Sequence, residues 1–483
     1  MLAAGAPGAQ LSASRPACGR RRTRTRPEHN PGAEMSRIQP RVARAALVVP
    51  IVLAAHVLAA GPLHAQGRAA APHDARVAAA VERFAPAAVR LRQQIHQHPE
   101  LGNREVKTAA MVAEHLRALG IEVRTNVAHT GVVGVLKGGR PGPVVAVRAD
   151  MDALPVTEQT SYPFRSTVRT TYLGQEVGVM HACGHDIHTA VQLGVASVLA
   201  SMKDRIPGTV LFIFQPAEEG PPPGEEGGAK LMLEEGAFAG PKPSAVFGLH
   251  VFAEMELGKV GFTPGPAMAS ASSFVATLEG KQAHGAYPHL SVDPVVMAAQ
   301  AVLALQTIRS RTLDPLEPGV VTVGMIRGGE RSNIIPAKVE LQGTIRTFDM
   351  DVRAAIDRRM HEILDGVARA AGGKYTLAID HAYPVTVNDV ALSAASRPTL
   401  ARIVGAENVV DLPPTPGAED FSYFANEVPG FFFRLGGRRP GSTSGGHHTP
   451  TFDMDDGAVP VGMRTMTSLL LDYLERGSAV SER

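Results

Sequence analysis

The sequence predicts an α/β protein in which a smaller α+β module interrupts a larger domain. Short apolar runs bounded by glycine or proline alternate with helical patterns over residues 77–264, which is typical of a layered α/β domain. Over residues 265–382 the order of predicted elements becomes β-α-β-β-α-β. The first pattern then resumes over residues 383–476, so one module inserted into another is the economical interpretation.

The larger domain is predicted to begin with two helices. Val77, Val81 and later apolar residues recur at helical spacing, and Pro86 is expected to kink or break this pattern. A second helix is expected from Glu105 until Gly120 ends it. Further strands are predicted at 132–136, 144–147, 209–214 and 245–249, and further helices at 189–202, 228–236 and 459–476.

The inserted module is predicted to be ferredoxin-like, because its elements follow the split β-α-β order of that fold. Its strands are predicted at 273–278, 320–326, 338–346 and 375–379, and its helices at 293–310 and 350–371. The predicted fold class is therefore a layered α/β domain carrying an inserted ferredoxin-like α+β domain.

Residues 1–65 differ from the rest of the chain and are interpreted as a leader that ends in a secretory signal peptide. From Met35, which is a candidate start, three arginines precede an apolar stretch at 45–60 and a small residue, Ala65. A membrane anchor is the alternative, but the stretch is shorter than the roughly 20 residues that span a bilayer, and Pro50 interrupts it. We therefore expect an exported protein, periplasmic or secreted, with no membrane attachment after signal cleavage.

Charge and cysteine content limit the possible partners. Residues 1–65 hold nine of the 48 basic and two of the 46 acidic residues, which leaves 39 basic against 44 acidic residues. A mildly acidic protein is not expected to bind nucleic acid. The one cysteine outside the leader is Cys183, so no internal disulfide is expected despite export.

Cys183 lies within His181-Ala-Cys-Gly-His-Asp-Ile-His188, where a lone thiol is surrounded by histidines and an aspartate. A buried structural cysteine, a nucleophile activated by histidine and a metal ligand are the three interpretations. Cys183 and His185 are expected on a loop before the helix predicted at Thr189. There a thiolate and an imidazole would converge on a metal such as Zn, Mn or Co.

Two pairs of carboxylates follow predicted buried strands. Asp150 and Asp152 come after the strand at 144–147, and Glu218 and Glu219 come after the strand at 209–214. Ligands collect at the carboxyl ends of strands in open α/β sheets. Turn or helix capping is the alternative for the aspartates, and a solvated surface pair is the alternative for the glutamates. The functional interpretation places one glutamate on a metal and leaves the other free as a general base.

Two histidines complete a candidate ligand set. His250 ends a predicted strand, and His448 lies on a glycine-rich loop. Either one alone would be a structural histidine more often than a ligand. With Cys183, His185 and Glu219 they give five candidate ligands at strand ends or on the loops that follow, which indicates a two-metal site. A nucleophilic Cys183 would leave the other four without a role.

A series of motifs covers the chain from about residue 77 to 476. In order, they are Arg148-Ala-Asp-Met-Asp-Ala-Leu-Pro155, His181-Ala-Cys-Gly-His-Asp-Ile-His188, Gln215-Pro-Ala-Glu-Glu-Gly220, Gly248-Leu-His-Val251, Ala283-His-Gly-Ala-Tyr-Pro-His289, Ser332-Asn-Ile-Ile-Pro336, Gly343-Thr-Ile-Arg-Thr-Phe348, Gly417-Ala-Glu-Asp-Phe421 and His448-Thr-Pro450. In this order they resemble the M20 peptidase family. The resemblance is to its amidohydrolase branch of hippurate hydrolases, N-acyl-amino-acid amidohydrolases and plant auxin-conjugate hydrolases.

The resemblance implies a catalytic domain with two divalent metal ions, Zn, Mn, Co or Ni, and an inserted lid domain that also dimerises. A homodimer or higher homo-oligomer is therefore expected. Because His447 adjoins His448, the choice of ligand there rests on the Thr-Pro that follows. By match to the motifs, Cys183 would bridge the metals, and the other ligands would be His185, Glu219, His250 and His448.

The same resemblance assigns roles outside the ligand set. Glu218 would be the general base, and Asp152 would orient the metal site. His284, on the lid, would help to polarise the scissile carbonyl from its own or the partner subunit. Asn333 and Arg346 would hold the substrate carboxylate.

The predicted function is hydrolysis of N-acyl amino acids to a carboxylic acid and a free amino acid by a metal-dependent amidohydrolase. A dipeptidase or carboxypeptidase of the same family is the alternative. A non-catalytic periplasmic protein that binds acyl amino acids is a third interpretation, although a binder would need no free Glu218. The stretch Pro221-Pro-Pro-Gly-Glu-Glu226 looks like an insertion beside the glutamate pair and is expected to change the substrate pocket.

Overall fold

The computed structural model describes residues 71–240 and 242–481, with side chains described as far as residue 477. The predicted leader at 1–65, with its candidate start at Met35, lies outside the described residues. Among the described helices, none combines the length and the apolar character that crossing a membrane requires.

Helices and strands alternate along most of the described chain. The helices are α1 (Asp74–Gln97), α2 (Val106–Ala118), α3 (His185–Ala200), α4 (Gly228–Glu234), α5 (Pro294–Thr307), α6 (Met350–Ala371), α7 (Val390–Val404), α8 (Phe421–Glu427) and α9 (Ala458–Ser481). The strands are β1 (Glu122–Val127), β2 (Gly131–Lys137), β3 (Arg140–Asp150), β4 (Arg169–Tyr172), β5 (Gln175–Gly178), β6 (Pro207–Gln215), β7 (Val246–Glu256), β8 (Val260–Phe262), β9 (Gly265–Met268), β10 (Ala271–Glu279), β11 (Ala283–His284), β12 (Gly319–Gly328), β13 (Ile334–Ile335), β14 (Lys338–Thr347), β15 (Lys374–Tyr383), β16 (Thr386–Asn388), β17 (Val409–Asp411) and β18 (Gly430–Arg438).

The central sheet of the larger domain has the strand order β1-β2-β6-β3-β7-β18-β8-β17. Its middle strands β6, β3, β7 and β18 run parallel to one another, whereas β1 and β2 pair antiparallel at one end. The carboxyl ends of parallel strands lie at the same edge of a sheet. Residues that follow β3 and β6 therefore meet residues from the later parts of β7 and β18 at that edge.

Helices cover both faces of the central sheet. Along β3, Val145 and Val147 belong to the core that includes residues of α1, α3 and α9. Ala146, between them, belongs to the core that includes residues of α4 and α8. This alternation follows from the two-residue repeat of a strand, and it explains why these strands are continuous apolar runs in the sequence.

The inserted module forms a separate four-stranded sheet with the order β12-β14-β10-β15, in which all neighbours are antiparallel. Residues of α5 and α6 pack on one face of it, in a core that includes Phe274, Leu305 and Met360. This order is that of a ferredoxin-like fold. The predicted fold class, a layered α/β domain with an inserted α+β domain, is confirmed.

Two of the differences between the structure and the predicted elements lie in the larger domain, at Pro86 and at the end of β7. Pro86 lies inside α1, which continues without a break to Gln97. The proline removes one backbone hydrogen bond, but Val81 and Ala88 on either side of it are buried and hold both halves in the core. Strand β7 continues past residue 249 to Glu256, because β18 pairs with it that far after its pairing with β3 has ended.

Candidate metal centre and active site

Asp152 connects two of the predicted metal ligands. Its Oδ1 lies 3.2 Å from His185 Nδ1, and its Oδ2 accepts a hydrogen bond of 3.0 Å from the Glu219 backbone N–H. The first contact keeps the His185 proton on Nδ1 and leaves Nε2 free to act as a ligand. The predicted role of Asp152, orientation of the site, is compatible with both contacts.

Gly184 lies between two of the predicted ligands, Cys183 and His185, and its backbone conformation sets their directions. Its φ of 92° lies in the left-handed region, and α3 begins at the next residue, His185, rather than at Thr189 as predicted. A Cβ on Gly184 would lie 2.2 Å from Val251 Cγ1 of β7, so glycine is needed for space as well as for conformation. The chain therefore turns sharply enough for Cys183 and His185 to face the same centre.

The Cys183 thiol is buried among histidines. Its Sγ lies 3.4 Å from His250 Nε2 and 3.5 Å from His447 Nδ1. His250 Nδ1 lies 2.7 Å from the Val251 carbonyl oxygen, so it donates its proton there and Nε2 keeps a lone pair toward the thiol. A separation of about 3.5 Å is what two ligands of one tetrahedral metal show, given bond lengths of about 2.0–2.3 Å.

The predicted ligands fall into two groups that share Cys183. In one group, ligand atoms of Cys183, His185 and His250 all lie within 4.8 Å of one another, and all three residues are buried. In the other, Cys183, Glu219 and His448 meet the same distance limit. His448 is the most exposed of the five, and its Nε2 lies 3.0 Å from Glu219 Oε1. A thiolate common to both groups is the arrangement expected of a bridging ligand.

The residues present fit two metal ions. His185 Nε2 is buried, and among the described residues no hydrogen-bond partner reaches it. Carboxylate oxygens of Asp150, Glu218 and Glu219 surround it at 3.7 to 4.0 Å, which is too far for hydrogen bonds. Sulfur, imidazole and carboxylate donors together suit Zn and similar divalent metals.

Electrostatics also favour cations at this centre. Burial and then the charges of Glu219 and Glu218 raise the pKa of the Cys183 thiol well above its ordinary value. Burial opposes a charge on His185, but Asp150 and Asp152 outweigh it and raise the pKa of that imidazole to about 10. Without metal ions the centre therefore retains protons, and metal binding must displace them.

Glu218 lies beside the two ligand groups, close to His185. Its Oε2 is 3.9 Å from His185 Nε2, and its backbone carbonyl accepts a 2.7 Å hydrogen bond from the hydroxyl of Tyr383. Burial, followed by the nearby Glu419 and Glu219, raises the pKa of Glu218 well above its usual value. A buried carboxylate with a raised pKa next to a metal centre is suited to accept and return a proton.

Other histidines of the motifs have separate roles. His188 Nδ1 lies 2.6 Å from Asp150, and its Nε2 accepts a hydrogen bond from the Val251 N–H. Both of its nitrogens are thus occupied, which makes it a structural link between α3 and β7. His447 Nε2 accepts a hydrogen bond of 3.2 Å from the Ala253 N–H, so its Nδ1–H points to the thiol.

The lid domain contributes Arg346 to the cavity at this centre, but not His284 or Asn333. Arg346 lies in β14 and lines the cavity together with the metal-ligand residues. His284 and Asn333 lie next to each other on the lid, where the Gly285 N–H donates to the Asn333 carbonyl, but neither lines that cavity. Within this chain, the structure therefore places one of the three predicted lid residues, Arg346, in the cavity at the centre.

Sequence reasoning missed two residues at this edge of the sheet. Tyr383, at the end of β15, contacts Glu218 from the segment that leaves the lid. Arg434 lies in β18, in the apolar sequence Phe431-Phe-Phe-Arg-Leu435. The sequence contained a signal for Arg434, because a charged residue within an apolar strand is rarely buried unless it has a partner or a function.

A buried ion-pair network holds α1 against the first turn of α3. Arg92 Nε lies 2.7 Å from Asp186 and its Nη1 lies 2.8 Å from Asp456. His96 Nδ1 lies 2.9 Å from the same Asp186 oxygen. Burial opposes the charge of Asp186, but Arg92 and then His96 hold its pKa well below the ordinary range. The network thus supports the helix start that carries His185.

We expect Arg92→Met to lower the free energy of unfolding by about 3–5 kcal/mol, because it leaves the Asp186 carboxylate buried without its main partner. The folded-state pKa of Asp186 is depressed, so the network stabilises the fold above about pH 4 and this contribution is lost as the pH falls further. Urea unfolding followed by circular dichroism at pH 7 measures the change. Arg90→Met, at an exposed position of the same helix, is the control and should stay within about 0.5 kcal/mol of the wild type. Equal stabilities of the two variants would contradict the assignment.

Known proteins resemble this chain in sequence and in structure. The family model described as Peptidase family M20/M25/M40 matches residues 146–472. Thermostable carboxypeptidase 2 of Saccharolobus solfataricus is 39% identical over 389 residues, which are 80% of this chain and 95% of the relative. N-acetyl-L-cysteine deacetylase of Bacillus subtilis is 37% identical over 371 residues, 76% of this chain and 84% of the relative.

The crystal structure of the Bacillus subtilis YXEP protein, described as a dinuclear metal binding peptidase from the M20 family, aligns with a TM-score of 0.70 and 33% identity. It covers 82% of this chain and 99% of that chain.

Proposed function

We propose, from the premise that this chain belongs to peptidase family M20, that it hydrolyses the amide bond of N-acyl amino acids. The chain is a metal-dependent hydrolase of the amidohydrolase and peptidase type. The proposal concerns the finer point, which is the substrate. A relative named for the deacetylation of N-acetyl-L-cysteine supports an acyl amino acid.

One observation carries the proposal: a cavity of about 410 Å³ combines metal ligands, the carboxylate of Glu218 and a guanidinium, that of Arg346, whose Nη1 has no hydrogen-bond partner among the described residues. Cys183, Glu218 and Glu219 line it from the larger domain, and Arg346 lines it from the lid. A hydrolase of N-acyl amino acids needs these three kinds of group, because it must activate water, move a proton and bind a carboxylate.

Glu218 carries the proton in the proposed reaction. Two divalent metals held by the ligand set would supply the positive charge that activates a water molecule and polarises the amide carbonyl. The Glu218 carboxylate accepts a proton from the attacking water and delivers it to the nitrogen of the leaving amino acid. The hydrogen bond from Tyr383 holds the Glu218 backbone, so the carboxylate stays at the centre during both transfers.

Arg346 binds the carboxylate of the substrate. Its Nη1 is buried, and within the described residues no hydrogen-bond partner reaches that nitrogen. Burial lowers the pKa of Arg346, which means that burial disfavours its charged form. An anion bound next to the guanidinium would stabilise that form. The planar guanidinium presents parallel N–H groups that match a carboxylate.

The proposal extends to the assembly and location of the protein. We propose that His284 and Asn333 act in the cavity of the partner subunit of a homodimer, since they lie outside the cavity of their own chain. The protein is exported with cleavage of its leader, residues 1–65, and Zn, Mn, Co or Ni occupies the centre. Light scattering, mass spectrometry of the exported protein and elemental analysis test these three statements in turn.

A carboxypeptidase or dipeptidase activity is the second candidate, favoured by the 39% identity to a relative named thermostable carboxypeptidase 2. Both candidates use the same centre. They differ in whether the group on the acyl side of the scissile bond is a simple acid or an amino acid.

A substrate panel distinguishes these candidates. With metal-loaded protein we expect kcat/KM for N-acetyl- and N-benzoyl-amino acids to exceed that for free dipeptides at least about tenfold, a difference of about 1.4 kcal/mol. Chelation followed by desalting should abolish activity, and addition of a divalent metal should restore it. Faster cleavage of the dipeptides would favour the second candidate. Absence of cleavage in both groups with two metals bound would contradict the proposed function.

A further inference from the structure

Arg434 lies at the active edge of the sheet and has no established role. In the parallel pairing of β18 with β7 it is opposite His250, one of the metal-ligand residues. Its neighbours Phe433 and Leu435 are buried and apolar, whereas Arg434 is half-buried and lines the same cavity as Cys183 and Arg346. A charge at this position therefore faces the substrate space rather than the core.

Neutral groups hold the Arg434 side chain in place. Its guanidinium carbon lies 4.2 Å from the centre of the Phe252 ring, and its Nη2 donates a 2.7 Å hydrogen bond to Thr415 Oγ1. Stacking and this single bond fix the plane of the guanidinium and leave other N–H donors available. The group is thus preorganised, and neither partner neutralises its charge.

The charge of Arg434 lacks a partner in the described part of the chain. No carboxylate oxygen there lies within 4.0 Å of its guanidinium, in contrast to buried Arg148, which contacts Asp150 and Asp420. Burial lowers the pKa of Arg434, and Glu254, whose side chain is 64% exposed, opposes this only from a distance. Burying the charge of Arg434 without a counter-ion costs free energy, and an anion that enters the cavity would reduce this cost.

The competing interpretation is a structural role, in which Arg434 joins β18 to the segment that carries Thr415. It accounts for the hydrogen bond to Thr415. It does not account for a cation in a cavity that already contains the unpaired Arg346, because a neutral amide would make the same bond. Two guanidiniums without an acidic partner among the residues that the structure describes line one cavity, and together they match a ligand with two anionic groups.

We propose that Arg434 forms a second anion subsite, and that the preferred substrates are N-acyl amino acids with a second carboxylate. This inference rests on the function proposed above. Arg346 receives the carboxylate of the amino acid, and Arg434 receives the other. The second carboxylate belongs either to the amino-acid side chain, as in an N-acyl glutamate, or to the acyl group, as in an N-succinyl amino acid.

Two pairs of substrates that differ only in charge test the proposal on metal-loaded protein. N-acetyl-L-glutamate is compared with N-acetyl-L-glutamine, and N-succinyl-L-alanine with its succinyl monoamide. We expect the charged member of one pair to have the higher kcat/KM by about tenfold or more, the effect of one hydrogen-bonded ion pair. The pair that shows the preference identifies which end of the substrate meets Arg434.

Variants assign the preference to Arg434. In Arg434→Gln the ratio of the two kcat/KM values should fall to near one, and Arg434→Lys should keep an intermediate ratio. Arg439→Gln, an exposed position on the same segment that pairs with Asp455 outside the cavity, is the matched control and should keep the wild-type ratio. Measurable but equal rates within both pairs for the wild type, or an unchanged ratio in Arg434→Gln, would overturn the proposal.

Binding separates this inference from the proposed hydrolysis. Calorimetry on metal-loaded Glu218→Gln protein measures the affinity for both substrate pairs without turnover. Tighter binding of a charged member that disappears in the Glu218→Gln, Arg434→Gln double variant supports the subsite even if the wild type hydrolyses none of the compounds. Equal affinities within both pairs would overturn the subsite and leave the proposed hydrolysis standing.

Discussion

Replacing Glu218 by glutamine is expected to lower kcat by about 100- to 10,000-fold while the protein retains its metals. Glutamine keeps the size of the side chain, and the hydrogen bond from Tyr383 is made to the backbone carbonyl, so it survives the change. What the variant loses is a group that accepts and returns a proton. The measurement combines steady-state kinetics on the best substrate of the panel with metal content by elemental analysis.

The matched control for this change is Glu234→Gln on α4. The Glu234 side chain is 54% exposed, and it lies outside the cavity that Glu218 lines. It should leave both kcat and metal content near the wild-type values. High activity in Glu218→Gln would reject the base assignment. A large loss of metal in that variant would instead identify Glu218 as a ligand.

Replacing Cys183 by alanine is expected to weaken the binding of both metals by more than about 100-fold. Even changes in groups that only contact a ligand cost about 10- to 100-fold in metal affinity, and here a ligand itself is removed. Because both ligand groups share the thiol, the loss should affect both sites together. Competition with a chromophoric chelator measures the two affinities.

A comparison with His448→Ala shows whether the thiol bridges. Of the two ligand groups described above, His448 belongs to the one that contains Glu219, so its removal should weaken that site and leave the other, which contains His185 and His250, occupied. If Cys183→Ala also loses one metal only, the bridging role is wrong. If it loses neither, Cys183 is not a ligand.

Much of the site could be predicted because it follows from strand direction. Asp152 and Glu219 come just after two buried strands, and parallel strands end at the same edge. Their approach to each other is therefore a consequence of topology that apolar patterning already indicates. The contact of Asp152 with His185 and with the Glu219 backbone depends on local turns, which periodicity does not describe.

Other parts of the site depend on pairings between distant segments, which no local pattern encodes. Tyr383 reaches Glu218 only because the chain returns from the lid at that point. Arg434 faces the cavity only through the register that places it opposite His250. The start of α3 was predicted four residues too late, since Gly184 was interpreted as part of a loop and not as the left-handed residue that begins the helix.

Gly184 also constrains attempts to change the substrate range of this protein by random mutagenesis. A Cβ at that position would lie 2.2 Å from Val251 Cγ1, and the φ of 92° strains any other L residue, so a substitution must displace the Val251 side chain in β7. His250 is the adjacent residue in that strand, and its Nδ1 bonds the Val251 carbonyl oxygen, so a disturbance at Val251 reaches a metal-ligand residue directly. In a mutant library, nearly every codon at position 184 other than one for glycine should therefore give an inactive clone, whatever the rest of its pocket contains.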